Sequence, residues 1–199
     1  MTPDEIATRL VAACDAMLAS EALLTRADQA IGDGDHGIGM ARGFAAARNA
    51  LQARPAQTVG DPFKTAGMAI LTKAGGASGA VFGSFFIGAA KPLSGAHLDK
   101  TGFVQSLRDG LAAVQARGGA KAGDKTMLDA LIPAIAAAEA AADLRAALTA
   151  AALAADAGAA ATADMIATTG KAKTLGERSR GHRDPGAISL SIILAAFAA

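Results

Sequence analysis

The chain has 199 residues, enough to bury a core without disulfides, and its 19 Lys and Arg residues nearly balance 18 Asp and Glu residues. This balance excludes a strongly basic or acidic chain, so we expect neither a nucleic-acid nor a membrane partner. The N-terminus lacks the basic and apolar segments of a secretion signal, which favours a cytoplasmic location by default. We expect one domain over residues 1–199, and the single cysteine, Cys14, falls on an apolar helical stripe that indicates a buried thiol.

Helical spacing of apolar residues dominates the chain. Thr2-Pro3-Asp4-Glu5 is typical of a capped helix start, and this first helix is predicted to run to about Asp28. The alanine-rich stretch 134–163 predicts two helices broken around Gly158, because alanine is the best helix former. Further helices are predicted over about 40–53, 61–74, 81–90, 100–117 and 126–141, and from Asp184-Pro185-Gly186 to the C-terminus.

These elements predict an all-α protein of about eight helices. No segment alternates polar and apolar residues with period two, and Trp and Tyr are absent. The longest uncharged run, 74–90, contains five glycines, which favours a tightly packed helix over a membrane span. The apolar run 187–199 is too short to cross a membrane.

A glycine-rich acidic loop follows the first predicted helix. Its sequence, Ile31-Gly-Asp-Gly-Asp-His-Gly-Ile-Gly-Met40, contains the G-x-G-x-x-G dinucleotide pattern, but a helix precedes it where that motif requires a strand. An EF-hand starting at Asp33 is also excluded, because Gly37 and Phe44 occupy its fifth and twelfth positions.

Three carboxylates remain to be explained in this region, those of Asp28, Asp33 and Asp35. Glycines between them allow a sharp turn that brings the side chains to one side. Such a set repels itself unless a cation joins it, and an all-oxygen, thiol-free set suits Mg²⁺, which usually also binds phosphate. The alternative is that Asp35 only caps the following helix.

Two further glycine clusters precede predicted helices. Gly75-Gly76-Ala77-Ser78-Gly79 leads into a helix whose N-terminal amides would suit a phosphate, although Gly79 and Gly83 would also serve close helix packing. The cluster from Gly118 to Thr126 nearly matches a Walker A loop. Asp124 stands where that motif has Lys, and no strand precedes it, so a P-loop fold is not expected.

Four motifs in the same order resemble the L subunit, or nucleotide-binding domain, of dihydroxyacetone kinases. They are Asp28-x4-Asp33-Gly-Asp35-His-Gly37, Gly75-Gly-Ala-Ser-Gly79, Gly123-Asp-Lys-Thr-Met-Leu-Asp129 and Gly176-Glu-Arg-Ser-x-Gly-His-x-Asp-Pro-Gly186. The resemblance implies a closed barrel of eight amphipathic antiparallel helices. Loops at one end of the barrel would bind ADP or ATP through two Mg²⁺ ions.

The same resemblance implies roles for individual residues. Asp28, Asp33 and Asp35 would be the metal ligands, and Ala77 and Ser78 would contact phosphate. Gly118 and Met127 would line the base or ribose. The remaining expected nucleotide contacts are His36, Gly37, Ile38 and Gly39 along the phosphates, Lys171, and Asp184, Pro185 and Gly186 closing the pocket. Lys171 departs from the family, which often has Arg there, so it keeps the charge and loses the planar fork.

The implied activity is phosphoryl transfer to dihydroxyacetone held covalently on a separate K subunit. Either ATP binds and ADP leaves, or bound ADP is rephosphorylated by a phosphoryl carrier of the sugar phosphotransferase system. The sequence does not decide between these two routes. It also does not decide whether the chain forms a homodimer. His97 is interpreted as a solvated loop residue and His182 as a residue that orients the loop before Asp184. Two alternatives remain, a subunit acting on another small ketose such as erythrulose and a non-catalytic nucleotide sensor. The basic residues Lys171, Lys173, Arg178, Arg180 and Arg183 would suit docking in each case, and the alternative is that they only form a solvated loop.

Overall fold

The computed structural model describes residues 1–199 and contains no β-strand, which confirms the all-α prediction. Two short 3₁₀ segments, Thr162–Asp164 and Lys171–Ser179, lie between the last two α-helices. The nine α-helices are α1 (Pro3–Ala19), α2 (Glu21–Ile31), α3 (His36–Ala53), α4 (Asp61–Lys73), α5 (Gly76–Ala90), α6 (Lys100–Gly118), α7 (Leu128–Ala140), α8 (Leu144–Ala161) and α9 (Pro185–Ala198).

Side-chain caps fix the starts of several helices. Thr2 and Glu5 form the predicted capping box at α1, with Pro3 in the first turn. Aspartates cap three later helices by accepting a first-turn backbone amide: Asp99 at α6, Asp143 at α8 and Asp184 at α9. The predicted starts at Asp61 and Asp184-Pro185 are therefore confirmed to within a residue.

Eight of the helices pack in a closed order. Consecutive helices from α3 to α9 pack against one another. Helix α9 then packs against α1, and α1 packs against α3. Helix α2 lies beside α3 and contacts the 3₁₀ segment 171–179. This cyclic order is what a closed helical barrel requires.

Phenylalanines and alanines make up a large part of the buried core. All seven phenylalanines are buried, and Phe197 on α9 lies against Phe63 on α4 and Phe103 on α6, with ring centroids 5.7 and 6.4 Å apart. Cys14 is buried as expected, and burial raises the pKa of its thiol to about 12. The thiol is therefore an inert part of the core.

The N-terminal half departs from the predicted boundaries in three places. The first helix ends at Ala19, where the Ser20 hydroxyl donates to the Ala16 carbonyl, and α2 begins afresh at Glu21. Helix α3 begins at His36 rather than near Met40. Helix α5 begins at Gly76 rather than Val81, so most of the second glycine cluster is its first turn and not a preceding loop.

The alanine-rich region breaks at a different place from the one predicted. The chain leaves the helix at 141–143, and Gly158, expected at the break, lies inside α8. A Cβ on Gly158 would lie 2.3 Å from the Asp129 carbonyl oxygen, so this glycine serves close packing of α8 on α7. Residues 144–164 form one helical segment long and apolar enough to cross a membrane by length and composition, whereas the sequence drew attention to 74–90. In the fold this segment packs on α7 and α9.

Candidate functional site

One end of the ring holds a cavity of about 330 Å³. Its walls come mainly from four places: the α2–α3 loop, the start of α5, the α6–α7 loop, and the α8–α9 connection together with the first turn of α9. This volume lies in the range of small-molecule pockets. The ring order thus brings together segments that are far apart in the sequence.

Three carboxylates converge at the cavity beside the α2–α3 loop. Oxygen atoms of Asp28, Asp33 and Asp35 lie within 4.8 Å of one another. Asp28, on the last turn of α2, is only 8% exposed, whereas the other two are exposed. A Cβ on Gly32 would lie 2.2 Å from an Asp28 carboxylate oxygen, and Gly34 has φ +81°, so both glycines are needed for the turn.

The ammonium group of Lys171 lies between two of these carboxylates. It forms ion pairs with Asp33 and, at 3.2 Å, with Asp35. The hydrogen bond to Asp33 raises the pKa of Lys171, and the same bond lowers the pKa of Asp33. The Lys171 ammonium is thus a cation that already lies among the carboxylates. Because its side chain is 57% exposed, another cation can readily replace it there.

His36 is a buried member of the site. Its backbone amide donates to Asp28 at 3.1 Å, while its two ring nitrogens lie 2.8 Å from the hydroxyls of Ser78 and Ser189. Burial lowers its pKa, although nearby Asp28 and Asp35 oppose the effect. The imidazole therefore links α3 to α5 and α9, and both of its nitrogens are engaged within the protein.

The start of α5 forms a second wall. Gly75 and Gly76 have φ values of +74° and +61°, and no side chain caps this helix. Arg42 on α3 donates to the Lys73 carbonyl at 2.8 Å and to the Ala74 carbonyl at 2.6 Å, which fixes the turn. The first-turn amides of α5 are thus left for a ligand at a helix N-terminus, where an anion is favoured.

Buried charges form the opposite wall. The Lys125 side chain donates to the carbonyls of Thr162, Met165 and His182 at 2.6, 3.2 and 2.5 Å, and so ties the α6–α7 loop to the α8–α9 connection. Asp184 caps α9, and its removal from water raises its pKa to about 7; nearby Asp129 adds to the effect. Near neutral pH this carboxyl is only partly ionised.

All of the residues expected to contact metal or nucleotide line the cavity except three. Gly37 packs against α2, with the Thr25 hydroxyl 2.2 Å from where a Cβ would be, Ile38 is 54% exposed, and Gly39 faces the Ala74 carbonyl. The residues brought together are Asp28, Asp33, Asp35, His36, Ala77, Ser78, Gly118, Met127, Lys171, Asp184, Pro185 and Gly186. His97 is an exposed loop residue, as interpreted from the sequence.

The sequence did not predict the structural roles of two cationic residues, Lys125 and Arg42, or the apolar part of the cavity wall. Lys125 has a left-handed φ of +61° and is 2% exposed, and it follows Asp124 in the loop compared above with a Walker A motif. Arg42 carried no signal, because its partners are carbonyls some thirty residues away. The missed apolar lining comprises Ile31, Val81, Phe82, Val114 and Leu128.

Comparison with known proteins identifies the family. The DAK2 domain model matches residues 30–199. The chain is 41% identical over 175 residues to the ADP-binding subunit DhaL of PEP-dependent dihydroxyacetone kinase 1 from Listeria innocua, covering 88% of this chain and 85% of that protein. It is 38% identical to the corresponding Escherichia coli subunit, covering 86% of this chain and 84% of that one.

A solved structure agrees with these sequence matches. The dihydroxyacetone kinase from C. freundii, crystallised with AMP-PNP and Mg²⁺, superposes with a TM-score of 0.77 at 30% identity. The match covers 97% of this chain and 33% of that one, so the chain spans about a third of that kinase. The DAK2 match over most of the chain, together with the identity to two DhaL proteins over most of their lengths, shows that the chain belongs to the DhaL family of dihydroxyacetone kinase subunits.

Proposed function

We propose that residues 1–199 form a single nucleotide-binding domain that holds an adenine nucleotide with Mg²⁺ and passes its terminal phosphoryl group to dihydroxyacetone on a separate K subunit. The observation that carries the proposal is the set of three carboxylates within 4.8 Å beside an uncapped helix N-terminus in one cavity. Acidic groups and free amides at one site suit a phosphate that arrives with its own cations. The phosphates of the nucleotide would thus lie next to the helix amides and the metal ions next to the carboxylates, so that each charge has a partner of opposite sign.

The donor set fits magnesium. Asp28, Asp33 and Asp35 offer only oxygen atoms, and the Lys171 ammonium already stands between two of them as a stand-in cation. We propose that these three carboxylates hold two Mg²⁺ ions. The bound ions would neutralise the negative charge that phosphoryl transfer spreads over the phosphate oxygens.

The chain's own residues bind and orient the nucleotide. The amides of Ala77 and Ser78 in the first turn of α5 would donate to phosphate oxygens, held in place by the Arg42 contacts to the preceding turn. Lys171 would turn from Asp33 and Asp35 to a phosphate when metal takes its place. The base and ribose would lie between Gly118, Met127 and the apolar wall of the cavity.

The phosphoryl source is proposed to be a carrier that rephosphorylates bound ADP. The two DhaL relatives above are subunits of PEP-dependent kinases, and the match covers most of their lengths. The basic residues of the segment 171–183 would help to dock such a carrier or the K subunit beside the site. We propose that the chain acts in the cytoplasm. ADP that copurifies with the protein would support the carrier route, whereas an empty protein that binds ATP would favour exchange.

Calorimetry with one substitution tests the nucleotide and metal site. Asp33→Ala should abolish Mg²⁺-dependent ADP binding and leave helical circular dichroism unchanged, because Asp33 is exposed and supports no core contact. Asp15→Ala is the matched control, since Asp15 is an exposed carboxylate on α1 that pairs only with Arg48. Undiminished ADP affinity in Asp33→Ala would contradict the metal assignment.

A further inference from the structure

A chain of three hydrogen bonds runs from the cavity wall into the core. Ser78, which lines the cavity, has its hydroxyl oxygen 2.8 Å from Nδ1 of His36, and Nε2 of His36 lies 2.8 Å from the Ser189 hydroxyl. The Ser189 hydroxyl lies 2.9 Å from the Pro185 carbonyl oxygen, one turn earlier in α9. His36 is 5% exposed and Ser189 is fully buried, so water does not compete for the contacts among His36, Ser189 and Pro185, whereas Ser78 is partly exposed at the cavity.

Counting hydrogens assigns a direction to the chain. The Pro185 carbonyl can only accept, so Ser189 donates its single hydroxyl hydrogen there and accepts from Nε2 of His36. The ring nitrogens of the buried His36 form hydrogen bonds only with the hydroxyls of Ser78 and Ser189 and with no carboxylate, and this favours the neutral imidazole. A neutral imidazole has one N–H, so Nδ1 accepts the hydrogen of Ser78. The opposite tautomer would leave two buried oxygens, on Ser189 and Pro185, 2.9 Å apart with no hydrogen between them.

We infer that Ser189 is a positioning residue that fixes the tautomer of His36 and thereby directs the Ser78 hydroxyl hydrogen away from the cavity. Ser78 then offers the cavity only oxygen lone pairs. These lone pairs suit a cation or its water ligands and repel phosphate oxygens, so Ser78 contacts phosphate through its backbone amide alone. The tautomer stands on the hydrogen-bond geometry, whereas its consequence for cation binding rests on the function proposed above.

Nitrogen-15 NMR of the full chain labelled at histidine tests the tautomer directly, with the His36 signals assigned by their loss in His36→Gln. Without any ligand, Nε2 should carry the proton and Nδ1 should give an unprotonated signal. Ser189→Ala should convert this pattern to a mixture of tautomers, because Nε2 loses its nearest acceptor, the Ser189 hydroxyl at 2.8 Å. The control is Ser191→Ala, which removes a hydroxyl of the same helix that donates to the Ile188 carbonyl, and which should leave the pattern unchanged. A wild-type ring protonated at Nδ1, or a Ser189→Ala spectrum like that of the wild type, would overturn the inference.

Calorimetry with ADP tests the consequence. With Mg²⁺, Ser189→Ala should weaken ADP binding about twofold if the two tautomers become equally populated, because only the fraction with Nε2 protonated keeps the Ser78 oxygen free for the cation. Without Mg²⁺, Ser189→Ala and wild type should bind ADP equally, and Ser191→Ala should match wild type in both conditions. Equal affinities with Mg²⁺ despite an altered tautomer would overturn the role of Ser78 toward the cation. A wild type without Mg²⁺-dependent ADP binding would instead refute the proposed function, and the NMR result would still decide the tautomer.

Discussion

Lys171 shows how a single side chain can serve two states of the site. Its ammonium lies between Asp33 and Asp35, where it reduces their mutual repulsion in the absence of metal. A divalent cation bound by the same carboxylates must displace it. The exposed ammonium would then be free to turn to the phosphates that accompany the metal, which would explain why a residue expected at the nucleotide contacts the proposed metal ligands.

Opposite changes in two affinities are expected when Lys171 is truncated. Lys171→Ala should raise the affinity for Mg²⁺ alone by no more than about fivefold, because exposed ion pairs contribute little. It should weaken ADP binding in the presence of Mg²⁺ by about tenfold, since a charge-assisted hydrogen bond to phosphate is lost. Calorimetry with the metal alone and with ADP measures both quantities.

Two companion variants make this test specific. Lys171→Arg should restore ADP binding, and Lys173→Ala, which removes an exposed lysine two residues away, should change neither affinity. The loss of ADP affinity in Lys171→Ala should also shrink as salt is raised, because salt screens exposed charges. Unchanged affinities for both metal and ADP would remove Lys171 from the site.

Because the pKa of Asp184 is raised in the folded protein, we expect the stability of the protein to depend on pH. This pKa is raised from 3.8 to about 7, so between about pH 4 and 7 the folded state holds a proton that the unfolded state has lost. Stability therefore falls as pH rises through this window, by at most about 1.4 kcal/mol per pH unit from this group. Asp184→Asn should remove that slope and keep the cap of α9, because an amide oxygen also accepts from Ala187.

Denaturant unfolding of the two proteins at several pH values between 5 and 8 measures the difference. Asp156→Asn, at an exposed position on α8, is the control and should follow wild type. The pKa values of Asp33, Asp61 and Asp124 are lowered, so their contributions are lost only below about pH 4, outside this window. Parallel curves for wild type and Asp184→Asn would show that Asp184 is ionised throughout.

Single residues were predictable where the evidence was local. Asp28, Asp33 and Asp35 lie within eight positions, and their spacing with two glycines was enough to bring them together. The contact of Lys171 with Asp33 spans 138 positions, and the contact of His36 with Ser189 spans 153. Neither contact can be predicted from the residues that neighbour it in the sequence, because each depends on how the ring of helices closes.

At the scale of elements, helix type was predictable and helix ends were less so. The break at Ser20 has neither glycine nor proline to announce it; it depends on a serine that turns its hydroxyl back to the Ala16 carbonyl. Gly158 was predicted to break a helix, but it lies inside α8. A glycine inside a helix resembles a break in the sequence, but here it lets α8 approach the backbone of α7.

Close packing of α5 on α4 gives a prediction at the same scale. A Cβ on Gly83 would lie 2.7 Å from the Leu71 Cβ and 2.9 Å from the Leu71 Cα, so the α4 backbone would have to move. Gly83→Ala should lower the free energy of unfolding by about 1–3 kcal/mol despite the better helix propensity of alanine. Gly118→Ala is the control, because no atom lies within 4 Å of its added Cβ. Denaturant unfolding checks both, and a Gly83→Ala protein as stable as wild type would contradict the close approach.

None of the three histidines offers a free ring nitrogen inside the described cavity. Both ring nitrogens of His36 are engaged within the protein, and His97 and His182 have exposed side chains. We therefore predict that the purified chain alone, given Mg²⁺ and ATP, does not phosphorylate dihydroxyacetone or erythrulose. Robust turnover with any K subunit shown absent by mass spectrometry would contradict this. ADP binding without turnover, even with a K subunit added, would favour the nucleotide sensor.

The architecture of the whole molecule was only partly accessible from the sequence. Periodicity predicts helices but not which helices touch, and the closed arrangement came from the resemblance of four motifs to a family. Only the structure shows that α1 and α9 are the pair that completes the ring, with Phe197 of α9 meeting side chains of α4 and α6 inside it.

Closure of the ring by α9 has a consequence for synthesis on the ribosome. Pro185 and Gly186, in the first turn of α9, form part of the cavity wall, and Ser189 one turn later holds His36. A nascent chain that has not yet released α9 from the exit tunnel therefore has an open ring and an incomplete cavity. Contacts between the first and the last helix also form slowly, because they join distant parts of the chain. Nucleotide binding would thus require α9, and a fragment that ends before Pro185 should not bind ADP.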